Sequence, residues 1–279
     1  MTKRVTACIL TKNEEAAITT CVHAAKAASD QVLVFDSSST DRTVELAEGA
    51  GARIVPFVWD GRYPKKKQWA LSHPLIENDW VLLLDADELV PQELAREIDE
   101  LTNRDDLAGV EIGLTYVWQG VPLRHGHRVY KRCLTRRSAS QYPEVGDLDA
   151  PGIGEVEGHY QPEVVGAVVR ARTRLIHDDP DPLSSWISRH NRYSDWEAHL
   201  RTTTEVRRKV RASRSAQGKL FDELPFKQAV FFAYSYLVRL GFLDGRRGFD
   251  YAFALAWYYW LIGAKTREAR RVGTRDIRE

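Results

Sequence analysis

Short apolar runs and helix-spaced segments alternate through the first hundred residues. Residues 5–10 (VTACIL), 31–35, 53–57 and 80–84 read as strands. Between them, residues 13–28 place Ala16, Ile18, Val22 and Ala25 at helical spacing. Residues 40–48 predict a second helix, with Ser39 or Thr40 as N-cap and Asp41 in its first turn. A third helix covers residues 65–71. A fourth, residues 92–101, opens after Pro91. Strict alternation of strand and helix implies right-handed βαβ units and a parallel sheet, so the fold class is α/β. Ligands of such sheets bind at the carboxyl ends of the strands. Asp36 and Asp85 both end a strand, which places them at one mouth.

After residue 109 the pattern changes. Residues 110–117, 128–134 and 164–176 read as strands separated by Gly- and Pro-containing loops. Residues 182–212 read as a long polar helix. Residues 225–264 give two aromatic, amphipathic stretches around a turn at 241–248. The charged segment 201–219 is the one plausible boundary. It divides a domain at 1–200 from a helical appendage at 201–279.

Composition excludes the non-globular classes. Of 279 residues, 43% are hydrophobic and 28% charged, which suits a chain that buries a core and rules out disorder, collagen and coiled coil. Net charge is +1, but it is unevenly spread. Residues 201–279 carry 17 Lys and Arg against 8 Asp and Glu, net +9, leaving 1–200 at net −8. An acidic body suits a cation and a basic tail suits an anionic surface. Cys8, Cys21 and Cys133 are too few and scattered for a disulfide framework or zinc site, so buried thiols in a reducing compartment are expected. Nothing at the N-terminus reads as an export signal. The apolar runs 229–238 and 251–264 fall short of the roughly 18–20 residues of a spanning helix.

The strongest chemical signal is Leu82-Leu83-Leu84-Asp85-Ala86-Asp87-Glu88. Clustered carboxylates at a strand end repel one another unless a cation sits among them, and hard oxygen ligands suit Mg2+ or Mn2+. A strand end followed by a helix cap is the plain alternative. The second signal is Phe35-Asp36-Ser37-Ser38-Ser39-Thr40-Asp41, a strand end and small-residue turn. There an acid can accept from a base or ribose, or the cluster can simply cap a helix. The third, Leu10-Thr11-Lys12-Asn13-Glu14-Glu15, is by itself a plain helix start.

Together, ILTKNEE, VFDSSSTDRT, WDGRYPKKKQWAL and WVLLLDADE, in this order and spacing, resemble family 2 inverting glycosyltransferases of the GT-A fold. Within that family they are similar to the lipopolysaccharide-core β-glucosyltransferase branch. The match spans about residues 4–102, with a looser one through LIHDD, RHNRYSDWEA and GFLDGRRGF. The resemblance implies a nucleotide-sugar donor, a divalent metal and inversion at the anomeric carbon. It implies a donor site of Thr11, Asn13, Glu14, Asp36, Ser38, Lys67, Asp85 and Ala86, with Asp87 as direct metal ligand. Gln68 stands where relatives often have Asn.

An inverting transfer needs one general base on the acceptor hydroxyl. The related branch carries a His-Glu pair there; here the stretch is Gly154-Glu155-Val156-Glu157-Gly158-His159, without that order. In extended chain Glu155 and Glu157 share a side, and Glu157 is favoured over Glu155. His177 closes a strand as a candidate metal ligand or diphosphate contact, where a structural role is the alternative. Arg189 and Arg192, at i,i+3 on a helix, either clamp phosphate or form a solvated basic face.

The tail interleaves Phe231, Phe232, Tyr234, Tyr236, Trp257 and Trp260 with Lys227, Arg239, Arg246, Arg247 and Lys265. That mixture suits peripheral contact with an anionic membrane, with core packing as the alternative. No nucleic-acid reader motif is present. The expected protein is a glycosyltransferase moving a sugar, most simply from a UDP-sugar, to a glycan or lipid-linked acceptor of the cell envelope, on the cytoplasmic side of the membrane. A sugar nucleotidyltransferase and a non-catalytic nucleotide-sugar-binding protein are the rivals.

Overall fold

The computed structural model describes residues 4–158, 160–213, 221 and 224–275. Its centre is a sheet of β1 (Val5–Thr11), β2 (Gln31–Asp36), β3 (Arg53–Pro56), β4 (Trp80–Asp85), β5 (Glu88–Leu89), β6 (Leu107–Trp118), β7 (Val121–Pro122), β8 (Tyr130–Arg136) and β11 (Ala167–His177). The strand order is β3-β2-β1-β4-β8-β6-β11-β5, with β7 on β6; β9 (Ser140–Gln141) and β10 (Glu163–Val164) pair separately. Strands β1 to β4 are mutually parallel, as are β6 and β11. Strand β8 runs antiparallel between β4 and β6. The sheet is therefore mostly parallel. The apolar stretches of β1, β2 and β4 lie buried, which is why they read as continuous apolar runs rather than alternations.

Helices α1 (Ile18–Ala28), α2 (Thr43–Gly49), α3 (Lys66–Leu71) and α4 (Gln92–Thr102) connect these strands. One core unites Ile9, Ile18, Val22, Val34, Leu82, Leu84, Leu94, Ile98, Val110 and Leu114. Helix α1 begins five residues later than its periodicity predicts. Asn13 takes a left-handed conformation (φ 58°), and the Glu14 carbonyl accepts from Ala17 and Ile18 N–H to close a turn. Helix α2 begins at Thr43, not residue 40. The N-cap is Arg42, with no side-chain cap of its own; Asp41, just before it, accepts Thr43 N–H on Oδ1 at 3.0 Å, while Ser39 and Thr40 are engaged across the loop. Cys8, Cys21 and Cys133 are buried thiols.

The chain divides into two compact units. The first comprises Met1–Pro122, Arg128–Pro143 and Gln161–Pro180, and holds the sheet. The second comprises Leu123–His127, Glu144–Tyr160 and Asp181–Glu279. Its longest segment runs from Asp181, and it takes in two earlier loops. It contains α5 (Leu183–Thr202), α6 (Thr204–Ser213), α7 (Lys227–Phe232), a π-helical turn at Ala233–Val238, a 3-10 turn at Gly241–Asp244 and α8 (Gly245–Arg275). The single helix predicted over 182–212 is broken at Thr203, whose backbone is extended (φ −105°, ψ 101°). Lys265 on α8 reaches the Asn191 carbonyl (2.7 Å) and Asp195 (2.5 Å) on α5. Trp196 is fully buried and donates to Asp147 Oδ2 at 3.0 Å. Gly158 lies so close that a Cβ there would stand 2.2 Å from the Trp196 ring, so residue 158 carries no side chain for a packing reason. Among the described residues no helix is long and apolar enough to cross a membrane.

A buried carboxylate fixes the irregular part of β11. Its pairing with β6 shifts register between Arg170 and Arg174. Glu97 of α4 accepts the exposed backbone donors, Arg172 N–H at 2.7 Å and Thr173 N–H at 2.8 Å. Burial would raise the Glu97 pKa, but these bonds outweigh it and hold it below the usual range. Glu97→Ala leaves two donors without an acceptor and should cost on the order of 1–3 kcal/mol at pH 7 by chemical denaturation. A group with a depressed folded pKa contributes stability above its unfolded value and loses it on acidification. The difference between variant and wild type should therefore hold above pH about 5 and shrink as pH falls through the folded pKa. A pH-independent difference would assign the cost to lost packing.

Candidate active site

Two clusters form at the carboxyl end of the parallel strands, both within the first unit. The first joins the ends of β1 and β2, which are in register at Thr11 and Asp36. Thr11 Oγ1 donates to Asp36 Oδ1 at 3.0 Å, and Asp36 Oδ2 accepts Ser39 N–H at 2.8 Å. Asn13 N–H donates to Ser39 Oγ at 2.8 Å, and Asn13 Oδ1 accepts Thr40 N–H at 2.8 Å. Glu14 N–H reaches Thr43 Oγ1 at 2.7 Å. Ser38 is exposed in a left-handed conformation (φ 55°). The two loops are thus stitched together through the Asp36 carboxylate. Lys66, buried, donates to the Thr11 carbonyl (2.8 Å) and Ser37 Oγ (2.6 Å). Neighbouring Lys67 is partly exposed, near enough to Asp85 to lower its pKa. Gln68 accepts Tyr142 N–H at 2.7 Å and so holds a loop.

The second cluster lies where β4 ends. The antiparallel pairing of β4 with β8 runs from Trp80 opposite Arg136 to Leu82 opposite Leu134. Continued three residues, that register sets Lys131 against Asp85. Lys131 Nζ lies 2.8 Å from Asp85 Oδ2 and 2.6 Å from each oxygen of Glu88. Glu88 Oε2 also accepts Asp85 N–H at 3.0 Å. Ala86 is buried. Strand β11 returns His177 opposite Glu88, and Asp178 N–H bonds the Asp87 carbonyl at 2.9 Å. His177 Nδ1 consequently stands 3.3 Å from Asp87 Oδ1. Both atoms are buried, and neither makes a well-aligned hydrogen bond. The Tyr116 ring meets the His177 ring edge-on, centroids 5.0 Å apart.

The charges in this cluster shape one another. Burial would raise the Asp85 pKa, but Lys131 and Lys67 hold it well below the usual carboxylate range. Burial pushes Glu88 up, assisted by Asp85 and Asp87 and opposed by Lys131. Burial would lower Lys131, yet Asp85 and Glu88 keep its ammonium firmly protonated. For His177, burial is outweighed by Asp87, and then by Glu88 and Asp85, which raise it to about 9.

Asp87 Oδ1 and His177 Nδ1 are two buried, poorly satisfied ligand atoms facing each other. Together they could offer a divalent cation one oxygen and one nitrogen ligand. Among the described residues no group of three His, Cys, Asp or Glu can hold a metal by itself.

The other expected residues lie in the second unit. Residues 151–155 form turns, 156 a bend and 157 no regular element, so Glu155 and Glu157 do not share a strand face. Glu157 is buried at 4% exposure and Glu155 is half-buried. His159 lies outside the described residues. Arg189 pairs with Asp181 at 2.8 Å, and Arg192 is exposed one helical turn on. Sequence reasoning missed Lys131, Lys66 and Tyr116 as parts of these clusters. It quoted Glu88 within the acidic run without assigning it a role.

The sequence model of glycosyl transferase family 2 matches residues 6–151, just over half of the chain. An uncharacterized glycosyltransferase of Rickettsia typhi is 27% identical over 271 residues, covering 95% of this chain and 87% of the relative. One from Rickettsia conorii is 43% identical over 99 residues, covering 36% of this chain and 34% of the relative. Among solved structures, a mannosyltransferase from Pyrobaculum calidifontis in complex with GDP-Man and Mn2+ aligns with a TM-score of 0.51 at 16% identity. That alignment covers 94% of this chain and 86% of the other.

Proposed function

The chain belongs to glycosyl transferase family 2, and from that premise we propose an inverting, metal-dependent transfer of a sugar from a nucleotide-diphosphate donor to a glycan or lipid-linked acceptor of cell-envelope polysaccharide synthesis. A UDP-sugar is the donor of choice, in keeping with the resemblance to the lipopolysaccharide-core branch. The observation that carries the reading is the pairing of Asp87 with His177 at the end of β4, beside the stitched β1 and β2 loops. Thr11, Asn13, Glu14, Asp36 and Ser38 form the nucleotide side of the site. Lys67, Asp85 and Ala86 lie towards the sugar diphosphate.

Asp87 and His177 would hold Mg2+ or Mn2+. A bound ion of this kind offsets the charge that develops on a leaving diphosphate. On the acceptor side one carboxylate takes the hydroxyl proton as the oxygen attacks from the face opposite the leaving group. Glu157 is the first choice. Glu155 is the second. Arg189 and Arg192 offer guanidinium groups for phosphate.

The second unit supports peripheral attachment to an anionic membrane surface, at the cytoplasmic face. Leu237, Val238, Leu240, Phe242 and Leu243 crowd into seven residues, each between 44% and 68% exposed. Arg246 and Arg247 follow, both exposed. Large exposed apolar patches mark contact surfaces, and each basic residue near anionic lipid adds about 1 kcal/mol.

Three experiments test these readings. Asp87→Ala should abolish Mn2+-dependent binding of UDP- or GDP-sugars, measured by calorimetry, while the circular dichroism spectrum is retained; wild-type turnover unchanged by EDTA would sink the metal reading. Glu157→Gln should lower nucleotide release by roughly 10²–10⁴-fold with donor affinity little changed. Full activity in that variant, with loss in Glu155→Gln, moves the base to Glu155. Wild-type protein should sediment with vesicles rich in anionic lipid at low salt and be released by high salt. Arg246→Glu with Arg247→Glu should weaken sedimentation but not transfer to a soluble acceptor; no sedimentation of the wild type would return the apolar side chains to protein contacts.

A further inference from the structure

Helix α5 is gripped on two flanks, each made by residues one turn apart. On one flank the Asn191 carbonyl and Asp195 both meet Lys265, whose Nζ lies 2.7 Å from the first and 2.5 Å from Oδ1 of the second. On the other flank Arg192 and Trp196 both meet the loop of residues 147–158. At the start of that loop Asp147 Oδ2 accepts the Trp196 indole N–H at 3.0 Å, and both residues are at most 1% exposed. In its middle Gly152 (φ 96°) runs so close to the helix that a Cβ would stand 2.0 Å from the Arg192 carbonyl oxygen. At its end Gly158 leaves the Trp196 ring the room that a Cβ would fill. Residues 147–158 form neither helix nor strand, so contacts of this kind set their path. Glu155 and Glu157 lie between the second contact and the third.

We propose that Trp196 is a positioning residue for the acceptor-side base: tied to Asp147 and seated against Gly158, its indole fixes the loop that carries Glu155 and Glu157. This rests on the base reading above. A general base works only within hydrogen-bond reach of the proton it takes. A misplacement of about 1 Å can cost about 10²-fold in rate. A loop without ladder bonds holds a carboxylate that accurately only if something rigid holds the loop. Here the rigid body is a helix of 20 residues, itself fastened to α8 from its other flank through Lys265. Arg192 and Trp196 thereby act through their backbone and ring on the loop, whatever the Arg192 guanidinium does.

The test is steady-state transfer by the full-length protein, read as nucleotide release with a panel of UDP- and GDP-sugars as donors and an alkyl glycoside as acceptor. Trp196→Phe keeps a ring in the core but has no N–H for Asp147. It should lower kcat about 10–100-fold, with donor affinity by calorimetry and the circular dichroism spectrum unchanged. Combined with Glu157→Gln it should cost little more, because groups that act as a unit are not additive. A merely structural role would instead give the same fold loss in both backgrounds. Where Glu155→Gln proves to be the impaired variant, it serves as the background. Asp147→Asn keeps an oxygen for the indole and should keep most of kcat, whereas Asp147→Leu should match Trp196→Phe. Wild-type kcat in folded Trp196→Phe overturns the proposal, and so does an equal loss in the Glu157→Gln background. Full activity of both Glu155→Gln and Glu157→Gln overturns the base reading itself, before any Trp196 variant is compared. Should Trp196→Phe not fold, Gly152→Ala pushes the same loop off α5 while keeping the hydrogen bond, and gives the same comparison.

Discussion

Like charges crowded at a strand end dominate this molecule. Asp85, Asp87 and Glu88 stand within four residues, Glu88 is buried, and a buried carboxylate without a partner costs several kcal/mol. The fold answers with two cationic or cation-ready groups, each brought by a different strand. Strand β8 brings Lys131 to Asp85 and Glu88, and β11 brings His177 to Asp87. The sheet order makes both deliveries possible. Strand β8 lies directly beside β4, and β11 reaches β5, the two-residue strand that contains Glu88. In a sheet that was parallel throughout, the start of β8 would lie beside the start of β4, so Lys131, its second residue, could not meet Asp85 at the far end.

The surrounding core keeps the acids from relaxing apart. Leu82 and Leu84 are buried on β4 and join one core with Ile9, Val34, Val110 and Leu114. Cys21 on α1 places its sulfur 3.3 Å from the Glu88 carbonyl, tying the turn after β4 to the helix beneath it. Close-packed interiors transmit strain rather than absorb it, so the acidic turn cannot open without disturbing this core. Glu97 extends the same logic to β11. By accepting Arg172 and Thr173 N–H it satisfies the irregular stretch upstream of His177, so the histidine sits at the end of a fixed strand.

Much of this was legible in the sequence. The βαβ alternation through residue 102 appears as read, because parallel strands buried on both faces leave plain apolar runs such as WVLLLD. The acid pairs at strand ends were legible for the same reason: where an apolar run stops, the sheet edge begins. Helix starts were less so. Asn13 adopts a left-handed turn that periodicity cannot register, and α2 starts after Arg42 rather than after Ser39 or Thr40 because those two hydroxyl-bearing residues answer Asn13 across the loop. The extended reading of 154–158 failed on its glycines. Gly152 and Gly154 have positive φ, and Gly158 gives way to the Trp196 ring.

Lys131 was not legible, and the reason is physical rather than statistical. In YKRCLTR a lysine two residues from Cys133 looks like the polar half of an ordinary alternation. Its meaning depends on antiparallel register with a strand some fifty residues earlier, and a slip of one residue would turn it to the opposite face. The acidic run announces that some cation must answer it, but it leaves open whether that cation is dissolved or covalently part of the chain. Here the chain answers Asp85 and Glu88 with Lys131, and sets His177 beside Asp87. Adjacent acids of one short motif are thereby given different work by which strand faces each of them.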